Sequence, residues 1–140
     1  MRFMVIVKAS EASERGDLPS TEELSAMGAY NEELVKAGVL LAAEGLHPSS
    51  SGARVRFDAA NDATVVDGPF AETKELVAGF WLLQVSSREE VLEWVRKAPF
   101  REGEVEIRRV FEAEDFTTAT PEQIEAENRL RATVAEQQRA

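Results

Sequence analysis

The chain has 140 residues, 44% of them hydrophobic, no cysteine and a formal net charge of -10. That length fits one domain with material for a core, and the missing cysteine excludes disulfides, thiol chemistry and thiolate metal sites. The acidic balance repels phosphate backbones, so no nucleic acid is expected as a partner.

No apolar run approaches the roughly 20 residues that cross a bilayer, so no membrane partner is expected either. The opening stretch carries a charge but lacks a small-residue cleavage site, and reads as a first strand rather than a signal peptide. A cysteine-free chain fits a reducing, cytoplasmic setting.

Residues 2–8 set Phe3, Val5 and Val7 against Met4, Ile6 and Lys8. Both sides are largely apolar, the pattern of a strand covered on two faces. Residues 9–18 are small and polar and read as a surface loop. Ser20 can then cap a helix, and Glu23, three residues on, completes a capping box. Leu24, Met27, Leu34 and Val35 fall on one face of that helix, with Tyr30 at its edge. Asn31 shares the face, where an amide either finds a backbone partner or lines a polar pocket. Gly38 stops the helix.

Residues 39–46 read as a second strand, its apolar end interrupted by Glu44 and by the only histidine, His47. Residues 54–57 and 63–66 alternate about a polar turn and read as a β-hairpin. Asp67-Gly68-Pro69-Phe70 is turn chemistry: Asp accepts backbone hydrogen bonds, Gly widens the allowed φ and Pro fixes it. The stretch that follows, residues 76–85, is apolar on both faces and is expected at the centre of the sheet. The turn feeding it is therefore expected at the rim of a cavity.

Ser87 and Glu90 suggest a second capping box. Val91, Leu92, Val95 and Ala98 make the apolar face of a short helix, with Trp94 at its edge and Pro99 at its end. Residues 104–110 alternate as a last strand. Beyond residue 111 the composition shifts. Thr120-Pro121 opens a helix whose large apolar residues, Ile124, Leu130 and Val134, form a stripe too thin for a core helix. The expected division is a domain over 1–111 and a helical tail over 112–140.

The order strand, helix, strand, hairpin, strand, helix, strand is α+β: a ferredoxin-like βαββαβ arrangement with an inserted β-hairpin and a C-terminal helical extension. The helices cover one sheet face. The other carries apolar residues as well, and burying it between two copies predicts a homodimer.

Residues 67–75, Asp67-Gly68-Pro69-Phe70-Ala71-Glu72-Thr73-Lys74-Glu75, followed by Gly79-Phe80-Trp81, resemble the signature of the DGPF family, part of the YCII-related superfamily. Residues 37–48 look like that family's second block. The resemblance spans about residues 1–111. It implies a dimeric α+β barrel with a pocket between sheet and helices, and no settled activity. Some relatives accompany or are fused to sigma factors, which implies an accessory or regulatory role. Better-studied members pair a His near the first helix with an Asp in the pocket. Asp67 matches that Asp, whereas residues 20–37 contain no histidine.

Two site readings follow. In one, a small molecule binds beside the turn, with Asn31, Glu44, Phe70, Glu72, Lys74 and Trp81 as ligand-binding candidates. In the other, Asp67 and His47 act as an acid–base pair on a small organic substrate, since mixed charges beside an apolar cavity shift proton affinities. A third reading makes the chain an interaction domain whose last helix docks on a partner. No spacing demands a metal, and no phosphate loop, dinucleotide fingerprint or nucleophile elbow is present, so no cofactor is expected.

Overall fold

A computed structural model describes residues 1–60 and 62–139. The chain runs β1 (Arg2–Lys8), α1 (Glu11–Glu14), α2 (Thr21–Lys36), β2 (Leu40–Gly45), β3 (Ala53–Phe57), β4 (Ala63–Asp67), β5 (Val77–Gln84), α3 (Arg88–Arg96), β6 (Val105–Arg109) and α4 (Pro121–Gln137). Single 3-10 turns lie at Ser49–Ser51, Thr73–Glu75 and Ala113–Asp115. Two compact units result, Met1–Arg109 and Val110–Ala140.

In the first unit a four-stranded sheet has the order β2-β5-β1-β6, and β3 and β4 form a separate two-stranded hairpin. With the hairpin set aside, β1-α2-β2-β5-α3-β6 is the ferredoxin-like path. The doubly apolar stretch is β5, held between β2 and β1 by antiparallel pairing on both edges.

The pleat sends alternate residues of each strand to opposite faces. Phe3, Val5, Trp81 and Leu83 go to one face and are buried in a single cluster with Tyr30 and Leu34 of α2 and Val91 of α3. Met4, Ile6, Phe80 and Leu82 go to the other face and are only half-buried.

α2 begins as its sequence dictates. Ser20 Oγ accepts from Glu23 N at 3.1 Å, and Glu23 Oε1 accepts from Ser20 N at 3.1 Å. It ends in a Schellman motif: Gly38, at φ 73°, donates to Val35 O at 2.9 Å, and Val39 N donates to Leu34 O at 3.1 Å. Val39 and Leu34 are both buried, the apolar contact that accompanies this ending.

Three local expectations are corrected. The loop expected over residues 9–18 contains α1, because Ser10 and Ser13 cap each other reciprocally. The inward stripe of α2 is Met27, Tyr30 and Leu34, while Leu24 and Val35 are 58% and 61% exposed. At α3, Ser87 caps Glu90 N, but the Glu90 carboxylate turns to Ser86, accepting from its N at 2.6 Å and its Oγ at 2.8 Å.

In the second unit Thr120 and Gln123 form a reciprocal cap at the start of α4. Phe111 and Phe116 stack with their centroids 4.9 Å apart, and Leu130 and Val134 are exposed. No helix among the described residues is long and apolar enough to cross a membrane.

Candidate functional site

The site is made by side chains that are missing. Antiparallel register sets Gly45 of β2 opposite Gly79 of β5, and Gly79 opposite Val7 of β1. This row faces α2, and two of its three positions carry no side chain. The next row is Val5, Trp81 and Ala43. The result is a hollow of about 330 Å³ between sheet and helix, at the low end of small-ligand sites. Its lining comes from β1 (Val7), α2 (Met27, Asn31), β2 (Ala43, Glu44, Gly45) and β5 (Ala78 to Trp81), with Pro19 and Phe100 from the flanking loops. Gly79 is required on a second count: a Cβ there would sit 2.8 Å from Glu44 O.

Aromatic packing stiffens one wall. Trp81 meets Tyr30 edge to face at 5.6 Å and Phe100 likewise at 5.9 Å. The Tyr30 hydroxyl donates to Trp94 O at 2.6 Å, tying α2 to α3. Burial pushes its phenol up to about 12, and the nearby Glu33 charge adds to the shift. Tyr30 is thus a buried strut rather than the stripe edge that spacing suggests.

Asn31 is the polar group of the interior wall. Its Oδ1 accepts from Trp81 Nε1 at 2.8 Å. Glu44 alone among the lining residues carries a charge, and it is solvent-exposed. The lining contains no histidine, lysine, arginine, serine or aspartate. Such a site can hold a largely apolar, uncharged molecule; it has no paired acid and base of its own.

Of the residues singled out from sequence, Asn31, Glu44 and Trp81 are brought together at the hollow. Asp67, Phe70, Glu72, Lys74 and His47 do not line it. Asp67 and His47 are exposed, and no hydrogen bond joins them. Residues 67–75 thus stand apart from this hollow. They are engaged elsewhere, for a physical reason that centres on Ser49.

Phe70 N donates to Ser49 Oγ at 3.0 Å, and Gly68 N donates to Gly52 O at 3.0 Å. Gly68 follows a path so close to the Ser49 carbonyl that any Cβ would overlap it, and the Gly68-Pro69 bond is cis. Ser49 N in turn donates to Glu14 Oε2 at 2.7 Å. Arg54 of β3 lies over the Phe70 ring at 3.8 Å and reaches Glu72 at 4.0 Å. The signature turn thus fastens the β2–β3 loop, α1 and the hairpin together. Lys74 stands exposed in the 3-10 turn Thr73–Glu75. The described residues contain no group of three or more carboxylate or imidazole side chains placed to hold a metal ion.

Sequence reading missed the floor of the hollow, Val7, Ala43, Gly45, Ala78 and Gly79. The signal was small residues clustered in two strands, and it becomes legible once the register that sets Gly45 beside Gly79 is known.

An uncharacterised protein of Rhizobium meliloti (strain 1021) is 39% identical over 70 residues, covering 50% of this chain. The chain spans about half the length of that relative, 56%. Among solved structures, 5-chloro-2-hydroxyhydroquinone dehydrochlorinase from Burkholderia phenoliruptrix AC1100, in complex with 2,5-dihydroxybenzoquinone, is similar at 17% identity and a TM-score of 0.47, over 82% of this chain and 98% of that one. The YCII-related domain matches residues 1–114. With most of its length matched, including the whole sheet and the turn at residues 67–75, the chain belongs to the YCII-related family.

Proposed function

We propose that the protein binds a small, uncharged, largely apolar molecule in the hollow between α2 and the sheet, in an accessory or regulatory role rather than through turnover. The observation that carries this reading is the glycine pair Gly45 and Gly79, which empties a place where a core would otherwise close. Native interiors are packed to high density, so an open apolar hollow walled by rigid aromatics calls for an occupant. Acid–base catalysis by Asp67 and His47 is the weaker reading, because both are exposed and neither lines the hollow.

The active form in this reading is a cytoplasmic homodimer of the DGPF type, closed through the sheet face that bears Met4, Ile6, Phe80 and Leu82. These apolar side chains form two rows bounded by Glu44, Glu106 and Arg108 at the register ends. Such a patch, apolar within and charged at its rim, suits a two-fold contact between identical faces.

The test is a thermal-shift screen of a metabolite library against the full chain. A ligand that binds the folded state raises the melting temperature by linkage. The expected result is hits among neutral aromatic or alicyclic compounds, absent when the hollow is filled by Gly45→Val. Hits that persist unchanged in that variant, or that are confined to charged or nucleotide ligands, would overturn the reading.

A further inference from the structure

Trp81 Nε1–H is a donor only, so the end of the Asn31 amide that faces it must be the oxygen. It follows that the other end of the amide, the Nδ2 hydrogens, is turned away from Trp81. Asn31 lines the hollow, and among the described residues no protein acceptor takes those hydrogens. The hollow therefore presents a fixed donor on an otherwise apolar inner wall. Its planar boundaries are Trp81 and Phe100. No cationic side chain lines it, so an anion finds no counter-charge there.

Resting on the pocket reading above, we propose that the ligand is a neutral aromatic or conjugated carbonyl compound. Its ring lies against Trp81 and Phe100, and its carbonyl oxygen accepts from Asn31 Nδ2. Asn31 is then the residue that sets specificity. A donor already held in place by Trp81 loses little freedom on binding, and a ligand without an acceptor leaves it unpaired.

Acetophenone and α-methylstyrene have the same shape and differ in C=O against C=CH2, so they isolate this contact. Binding of each to the full chain is followed by NMR, reading the side-chain amide of Asn31 and the indole N–H of Trp81. Acetophenone is expected to move the Asn31 Nδ2 protons downfield, and α-methylstyrene to perturb Trp81 without that shift. Asn31→Asp keeps an acceptor for Trp81 and removes the donors. It is expected to lower the affinity ratio of acetophenone to α-methylstyrene about tenfold, the worth of one such hydrogen bond. Binding of both compounds with no Asn31 shift, or with the same ratio in Asn31→Asp, overturns the proposal and leaves the pocket reading standing. Binding of neither at millimolar concentration overturns the pocket reading and this proposal with it. Should Asn31→Asp not fold, the wild-type amide shift decides alone.

Discussion

Gly45 and Gly79 stand opposite each other on neighbouring strands, and this pair sets the size of the hollow. The two glycines are not equivalent. A Cβ on Gly45 meets nothing within 4 Å, whereas one on Gly79 would sit 2.8 Å from Glu44 O, a backbone atom that cannot step aside. Gly45→Val is therefore expected to fold with stability within about 0.5 kcal/mol of wild type, since a valine suits a strand. Gly79→Ala is expected to lose about 1–3 kcal/mol through overpacking at the β2–β5 pairing. Urea denaturation of both variants checks the contrast, and equal stabilities would contradict the register argument.

A second glycine contrast tests the role of the signature turn. Any Cβ on Gly68 would overlap the Ser49 carbonyl, while Gly28, within α2, has no atom within 4 Å of a Cβ. Gly68→Ala should cost about 2–3 kcal/mol, because the turn and the Ser49 loop can separate only by giving up the bonds to Phe70 N and Gly52 O. Gly28→Ala should add roughly 0.5–1 kcal/mol, the gain of a helix former over glycine. A stable, fully folded Gly68→Ala would show that residues 67–75 do not depend on this close approach.

How much of this was legible beforehand depended on the distance over which each signal acts. Ser20, Glu23 and Gly38 fixed both ends of α2 within four residues of themselves, and the alternation in residues 2–8 and 76–85 gave the two inner strands. The inward stripe of α2 was harder. Leu24 and Val35 have the right spacing by hydropathy, yet Tyr30 is the residue that is buried, because its hydroxyl finds Trp94 O, 64 positions away. The turn at residues 67–75 is hard to place for a related reason. Its charges suggest chemistry, while its closest partner is the backbone and hydroxyl of Ser49, and nothing around residue 49 announces a contact 21 positions on. Likewise Asn31 was suspected as polar on an apolar face, but which end of its amide is free followed only from Trp81 beside it.

Glu14 gives a pH prediction with a definite sign. Hydrogen bonds from Ser49, from side chain and backbone, hold its carboxyl below the ordinary value of 4.5. A depressed carboxyl contributes stability that is fully present above its unfolded value and is lost as pH falls through the folded one. Glu14→Gln removes the charge at every pH. The melting-temperature advantage of wild type over this variant is thus expected to be constant from neutrality to about pH 5 and to shrink as the solution becomes more acidic. Glu23, Glu90 and Glu106 are depressed too and fall with pH in both proteins, so the difference isolates Glu14. An advantage that grows on acidification would contradict the Ser49 contacts.

Tyr30 is the only tyrosine, so its ionisation can be followed without ambiguity by phenolate absorbance. Burial and the Glu33 charge put its midpoint at about 12. Because the folded value is raised, the contribution of the phenol to stability is complete below its unfolded value of about 10 and declines as pH rises towards 12. Tyr30→Phe should cost about 1 kcal/mol at neutral pH, by leaving Trp94 O without its donor. A midpoint at the free-phenol value in the folded protein would place Tyr30 in water and dissolve the strut between α2 and α3.

The outer sheet face supplies the last prediction. Leu82 lies at the middle of β5, opposite Met4 on one side and Ala42 on the other, with Arg108 beyond Met4. Ile6 and Phe80 form the adjoining row between Glu106 and Glu44. Burial of apolar area is worth roughly 25 cal/mol per Å², so even a few hundred Å² on each copy favours association of this face with its like. A carboxylate set at its centre would meet its symmetry mate across a two-fold axis, where neither charge has a partner and both lose water. The wild type is expected to be a dimer at micromolar concentration in light scattering, and Leu82→Glu a monomer. The far-ultraviolet circular dichroism of the variant should be unchanged, because Leu82 lies outside the cluster of Tyr30, Leu34 and Val91 that holds helices to sheet. A wild-type monomer, or a Leu82→Glu protein that stays dimeric, would remove this face from the interface and leave the hollow a property of the single chain.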